Sequence, residues 1–277
     1  MKEPSCPEKL VLNVDLALAR RLEMAHAWRG VWYVRAQSVL HPEYQCLVEE
    51  IAGGFALYAG DGSPANRAAG LGLHGPVHHA ELERVEQFFH SRNALAKLDV
   101  CPLADESLFE LLKHDAYHLE GFFNALARPL TDDTTPAESA EIQITRAKPE
   151  EAELWICTTA QGFAEADDPS QRDLDILAPN FHSANAACFF AWMDGQPAGG
   201  GAMFIHQGTV ELGGASTRPA FRKRGVQTAL LQARLTAARS AGCDLAMVMT
   251  EPGSDSQRNI QRAGFQLAYT KAILVKP

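Results

Sequence analysis

One short run carries the clearest chemistry in this 277-residue chain: Arg222-Lys223-Arg224-Gly225-Val226-Gln227-Thr228, within ELGGASTRPAFRKRGVQTALL. Three cations stand directly before an expected helix start, where the helix dipole is already positive and cations cost stability. An anion explains them. Free backbone N–H groups at the turn and the first helical turn form a cradle. Gly225 allows close backbone approach, and the flanking arginines add charge-assisted bonds. The pattern suits a pyrophosphate, with neither the G-x-x-x-x-G-K spacing of a P-loop nor the G-x-G-x-x-G of a dinucleotide fold.

Two further clusters hold reactive residue types. His79, Glu83, Glu86 and His90 share one helix face at i, i+4, i+7 and i+11, a metal set in principle. They read rather as the solvated face of an amphipathic helix opposite Leu82, Val85 and Phe89, and no metal site is expected. In EADDPSQRDLD (165–175), Glu165, Asp167 and Asp168 either attract a cationic amine or form a solvated loop. Trp28, Trp32 and Tyr33 read as core or domain-interface aromatics, since only Arg29 and Arg35 interleave them.

The elements that position the basic run follow from hydrophobic patterning. CFFAWMDGQPAGGGAMF reads as two strands around an Asp-Gly turn. TVELGGAST is a third strand, Gly225 to Ser240 a helix and CDLAMVMT a buried strand. SDSQRNIQRAG is a short capped helix before a closing strand pair at FQLAYTKAILV. The N-terminal block runs in the same order. A strand, loop and strand lie in GGFALYAGDGSPANRAAGLGLHG, followed by the helix HAELERVEQFFHSR and the strand LAKLDVCPL. The helix DESLFELLKHDAY and the extended HLEGFFNALARPL complete it. An offset of 148 places Leu82 on Leu230, Val100 on Val248, Tyr117 on Phe265 and Leu119 on Leu267, the mark of a duplicated unit. Under that offset Gly225 falls on Val77 and Arg224 on Pro76, so the first copy lacks the phosphate cradle. The polar, Pro- and Thr-rich PLTDDTTPAESAE separates the blocks. The expected division is a degenerate domain at 1–130, a linker at 131–140 and a second domain at 141–277.

Composition narrows the class. With 46% hydrophobic and 21% charged residues the chain can bury a full core. A net charge of -9 argues against nucleic acid as a partner. No apolar run reaches the roughly 18 residues of a membrane span, and MKEPSCPEKLVLNVD lacks a secretory apolar core. Six scattered cysteines without a C-x-x-C pair read as reduced thiols. A cytoplasmic protein, monomeric or homodimeric, is expected.

The basic run resembles the acyl-CoA-binding signature of the GNAT N-acetyltransferase superfamily, R/Q-x-x-G-x-G/A, with Gln227 in place of the usual small residue. TRPAFRKRGVQTALL is similar to that family's strand-4-to-helix-3 segment, and SQRNIQRAGFQLAYTK to its closing helix and Gly-Phe strand. The resemblance covers Glu141 to Pro277 and implies a mixed α/β fold of two GNAT-like domains in tandem, each a mostly antiparallel sheet flanked by helices. It implies acetyl-CoA as co-substrate, no metal, and a small-molecule amine as acceptor. Ala215, Ser216 and Thr217 would meet the pantetheine arm. Arg222, Arg224, Gly225, Val226, Gln227 and Thr228 would hold the pyrophosphate, with Ser256 and Asn259 near the thiol end. Glu211, 11 positions before Arg222, matches the family's strand-4 base. The family's tyrosine acid, five residues before Phe265, is Ile260 here, which leaves Tyr269 as the nearest tyrosine. A non-catalytic acyl-CoA sensor or scaffold is the alternative.

Overall fold

A computed structural model describes residues 12–130 and 141–277; the expected linker at 131–140 and Cys6 lie outside the described residues. The first element is one the sequence patterning did not single out: α1 (Leu16–Leu40), started by Asp15, whose carboxylate accepts the Leu18 N–H at 2.8 Å. After it come β1 (Leu47–Ile51), β2 (Gly54–Tyr58), β3 (Arg67–Ala69), α2 (His79–His90), β4 (Ala96–Val100), α3 (Glu106–His114) and β5 (His118–Pro129). The C-terminal half has β6 (Gln143–Arg146), α4 (Ala152–Ala164), α5 (Gln171–His182), β7 (Ala186–Met193), β8 (Gln196–His206) and β9 (Thr209–Thr217). It ends with α6 (Val226–Ser240), β10 (Leu245–Thr250), α7 (Asp255–Arg262) and β11 (Gln266–Lys276).

Local chemistry sets these boundaries. Asp194 and Gly195 turn β7 into β8 with φ of 52° and 72°, both positive as a two-residue hairpin requires. Ser254 caps α7 through the Gln257 N–H at 3.1 Å. FQLAYTKAILV, expected as a strand pair, is instead one strand with register shifts at Leu267–Tyr269 and Ile273–Leu274. The patterning could not separate these outcomes, because a bulge lets one long strand change faces without a turn.

The eleven strands of the described residues form a single mixed sheet, ordered β1-β2-β3-β4-β11-β5-β10-β9-β8-β7-β6. The repeat is visible in it. β3-α2-β4-α3-β5 and β9-α6-β10-α7-β11 follow the same order, and each contains a parallel pair, β3 with β4 and β9 with β10. The closing strands of the two copies are exchanged. β5 lies against β10 of the second copy, while β11 lies against β4 of the first. The two exchanged strands pair with each other through the sheet centre.

Helices cover both faces. On β10, Ala246 and Val248 join Leu230 and Leu235 of α6, while Leu245 and Met247 face Ala19 and Leu22 of α1, the period-2 alternation of a strand buried twice. α1 spans both copies. Val31 and Val34 pack on Phe55 and Leu57 of β2, and Trp32 joins Trp155, Phe190 and Phe204 of the second half. The Tyr33 hydroxyl donates to the Ile176 carbonyl of α5 at 2.9 Å. The aromatic stretch is therefore core and inter-copy contact. Among the described residues no helix is long and apolar enough to cross a membrane.

With the closing strands exchanged, neither copy can lose its fold without opening the other's sheet. Scanning calorimetry should give one transition with calorimetric and van't Hoff enthalpies equal. Two separable transitions would contradict this coupling.

Candidate active site

β9 and β10 pair only over Thr209–Glu211 and Leu245–Met247, then diverge. Beyond Glu211, β9 keeps its bonds to β8, where Gly214 and Ala215 bulge opposite Gly201. Gly214 there has φ of 54°. The bulge and the divergence leave the β10-facing edge of Gly213–Thr217 without a strand partner, with Arg234 reaching the Gly213 carbonyl and Arg222 the Thr217 carbonyl at 3.4 Å each; the backbone between them can bond an extended amide-bearing ligand. Ser216 is buried and donates its hydroxyl to the Thr159 carbonyl at 2.7 Å, which fixes α4 along the cleft.

At the end of β9, Phe221 is buried and anchors the turn that precedes α6. Gly225, with φ of 87°, is the N-cap of α6 and supplies no side-chain cap. The first N–H groups of the helix, at Val226, Gln227 and Thr228, consequently have no intrahelical acceptor. Arg222 bonds Glu165 at 2.8 Å and the Gly162 carbonyl at 3.0 Å. Arg224 lies 3.3 Å from Asp194. Both guanidinium groups stay partly exposed beside the helix start. Gln227, the departure from the family signature, donates to the Thr217 hydroxyl at 3.0 Å and ties the helix to the strand. An uncapped N-terminus, two cations and an unpaired strand edge fit the pyrophosphate and amide arm of acyl-CoA.

On the other side of the gap lies a chain of buried charges. Glu211 accepts from Arg29 at 2.7 Å and meets His26 Nδ1 at 3.1 Å. His26 Nε2 is 3.6 Å from Asp99, and Asp99 contacts Arg67 and Lys271 at 3.3 Å each. Lys271 reaches Glu23 at 3.3 Å, and Glu23 accepts the Tyr269 hydroxyl at 2.8 Å. Glu23, His26 and Arg29 share one face of α1, Arg67 and Asp99 come from β3 and β4, and Glu211, Tyr269 and Lys271 from the second half. Gly213 leaves room for this arrangement, since a Cβ there would stand 2.7 Å from the Arg29 guanidinium.

Opposing effects set the titration of these groups. Burial pushes Glu211 up, but His26 and Arg29 outweigh it and bring the carboxyl to about 2. Burial likewise pushes Asp99 up, and Arg67, Lys271 and His26 hold it well below the usual range. His26 is lowered by burial and by Lys271; Glu211 and Asp99 overcome both, so its pKa is raised. Lys271 is raised by Glu23 and Asp99 against its own burial.

A cavity of about 500 Å³ opens between these charges and the strand gap. Its walls are His26, Arg29 and Tyr33 of α1, Leu57 of β2 and Arg67 of β3. Phe123, Phe163, Ile176, Asn180, Met249 and Lys271 close it, and Gly214 of the bulge lies on its rim.

The Ala215–Thr217 edge and the Arg222–Thr228 turn follow one another along the end of β9 and the start of α6, whereas Glu211 is buried behind Arg29 and His26 and is not among the residues that wall the cavity. Ser256 and Asn259 lie exposed on α7. Tyr269 requires a correction: it is buried, its hydroxyl is committed to Glu23, and burial together with Glu23 raises its pKa well above 10. It cannot supply a proton to the cleft. Glu165 and Asp167 face Arg222 and Arg218 rather than the cavity, and Glu86 of the α2 face bonds Lys276 at 2.8 Å. Sequence patterning missed His26, Arg29, Arg67, Asp99 and Lys271. The legible signal was a charge inside an apolar strand, Asp99 two positions after Lys97 in AKLDV and Lys271 in QLAYTKAILV.

Because its folded pKa is depressed, Glu211 contributes stability that is present above its ordinary 4.5 and lost as pH falls toward 2. Glu211→Gln should lower the melting temperature at pH 7 and flatten the loss of stability between those values. An unchanged acid limb in thermal melts would show that Glu211 is not the stabilising partner of Arg29 and His26.

Residues 150–265 match the model of the acetyltransferase (GNAT) family. Among solved structures, a GCN5-related N-acetyltransferase from Kribbella flavida aligns at 21% identity over 88% of this chain and 95% of its own, with a TM-score of 0.62. A tandem GNAT protein from the clavulanic acid biosynthesis pathway aligns at 12% identity over 91% and 94%, with a TM-score of 0.58. A GCN5-related N-acetyltransferase from Sphaerobacter thermophilus gives 16% over 71% and 66%, with a TM-score of 0.54. No curated protein matches the sequence. The match shows a GNAT-family region at residues 150–265, spanning the strand–turn–helix cradle, and the chain as a whole shares its fold with a tandem GNAT protein.

Proposed function

We infer that this chain is an acyl-CoA-dependent N-acetyltransferase in which residues 141–277 hold acetyl-CoA and both halves share the walls of the cavity for a small-molecule amine. The continuity of turn, strand gap and cavity supports this reading: Gly214 belongs to the bulged strand and to the cavity rim at once. Acetyl-CoA supplies the activated acetyl group. Backbone N–H groups from Gly225 to Thr228, with Arg222 and Arg224, bind its pyrophosphate, and the Ala215–Thr217 edge binds its amide arm.

An ammonium must lose a proton before it can attack a carbonyl carbon. Glu211 is buried, locked to Arg29 and ionised down to about pH 2, which makes it a poor direct base. His26 lines the cavity and takes the proton at Nε2, which stands 3.6 Å from Asp99, while Glu211 holds Nδ1, orients the imidazole and raises its basicity. No residue is assigned as acid, since a thiolate is a tolerable leaving group. The locked Glu211–Arg29 pair also favours a second reading, a CoA-binding sensor without turnover; thiol release from acetyl-CoA in the presence of amines separates the two.

Acetyl-CoA and CoA should raise the melting temperature of the wild type, a ligand at 100 times its Kd adding about 2.7 kcal/mol. Gly225→Asp should abolish that shift by placing a carboxylate at a positive-φ cap beside the pyrophosphate. A Gly225→Asp protein that binds as wild type would place the cofactor elsewhere.

The rate should depend on a base whose pKa lies above the ordinary histidine value of 6.5. kcat/KM should rise with pH through that value. Glu211→Gln should move the limb to lower pH, because a carboxylate that favours imidazolium is gone, and His26→Asn should remove it. A limb kept in His26→Asn and lost in Glu211→Gln would return the base role to Glu211 itself.

A further inference from the structure

The cavity wall is sorted by charge. Arg29 and Arg67 keep 24% and 19% of their side chains exposed and His26 keeps 16%, whereas Glu211, Asp99 and Glu23 are exposed by 1% or less. Each of those three carboxylates is already paired with a cation, so the lumen sees cationic edges with the anions behind them. The one carboxylate on the lining outside this chain is Asp173, and it is committed to the N–H and hydroxyl of Ser170. The remaining wall is apolar: Leu57, Phe123, Phe163, Ile176 and Met249.

A polyamine would find on such a surface only Asp173, whose Oδ2 accepts from Ser170, against several cationic edges. A guanidinium has five N–H donors in a planar fork. Arg67 directs bonds to Asp99 and to the Pro64 carbonyl, and Arg29 to Glu211 and Asn180, which leaves donors on both. Arg67 and His26 also share one atom, Asp99 Oδ2, at 3.3 and 3.6 Å. A carboxylate on Arg67 and an amine at His26 are therefore within reach of one small molecule. Because Asp99 already half-neutralises Arg67, the site suits a monoanion over a phosphate dianion.

We propose that the acceptor is an amine carrying one carboxylate and an apolar side chain, an amino acid in class, with its carboxylate on Arg67 and its nitrogen at His26. This rests on the acetyltransferase reading above. Thiol release from acetyl-CoA should be measured with L-phenylalanine, L-leucine, L-phenylalaninamide and spermidine. Phenylalanine should exceed its amide by about tenfold or more in kcat/KM, the span of a charge-assisted bond. Arg67→Lys keeps a cation on Asp99 but loses the fork, and should shrink that ratio severalfold. Spermidine as the best acceptor, or a ratio unchanged in Arg67→Lys, would overturn the proposal.

Calorimetry with N-acetyl-L-phenylalanine tests the cavity without acetyl-CoA. Binding weakened in Arg67→Lys supports the proposal, and absence of binding to the wild type overturns it. A missing thermal shift with acetyl-CoA would instead sink the acetyltransferase reading while leaving an acid-binding cavity.

Discussion

The buried chain from Glu211 through His26, Asp99 and Lys271 to Glu23 is the constraint on which the rest of the molecule turns. Isolated charges taken out of water cost several kcal/mol each, and only close opposite partners recover it. Here signs alternate along the chain, and most contacts cross from one half to the other: Arg29 to Glu211, Lys271 to Asp99 and to Glu23. Removing one member leaves its neighbour buried and unpaired, a loss of about 3–5 kcal/mol. Such a chain specifies how the copies dock more sharply than apolar packing does, because a slip of one residue would bury like charges together.

Strand exchange and charge chain depend on each other. Lys271 and Tyr269 can reach Glu23 and Asp99 only because β11 has left its own copy and lies beside β4. With β5 beside β10, the sheet centre is closed by strands of opposite origin. The parting of β9 from β10 survives because nothing in this centre pairs the edge after Glu211. The opening is thus a product of topology, the bulge at Gly214 and the bulk of Arg29 over Gly213.

Most of the second half was legible from local chemistry. The Asp194-Gly195 turn, the Gly225 helix start and the Ser254 cap are each set by residues that touch their neighbours in sequence, and patterning reads such features well. The 148-residue offset survived as buried pairs, Leu82 with Leu230 and Val100 with Val248. What was not legible is what crosses the copies. α1 has mixed faces, with Glu23 and Gln37 buried beside Leu22 and Val31, so its periodicity carries little signal. The exchange of β5 and β11 leaves no mark in either strand's own residues. Glu211 was found by spacing, but the cations that hold it ionised come from residues 26 and 29 and no local pattern points to them. The expected Tyr269 role failed for the same reason, since its partner Glu23 lies 246 positions away.

The first half lacks the basic turn yet shares the order of strands and helices, and its charges show how the two facts belong together. Under the repeat offset Asp99 stands where Met247 stands in the second copy, on the strand that parts to form the cleft. In the second copy that position is apolar and faces α1. In the first it carries a carboxylate that holds Arg67, Lys271 and His26. A carboxylate at that place would oppose an acyl-CoA bound in the first copy's own gap, but it is what lets three cations gather beside the second copy's gap without repelling one another. In the proposed reading, one copy gave up a binding site and became the wall of the other. The exchanged strands hold that wall in register with the cleft it serves.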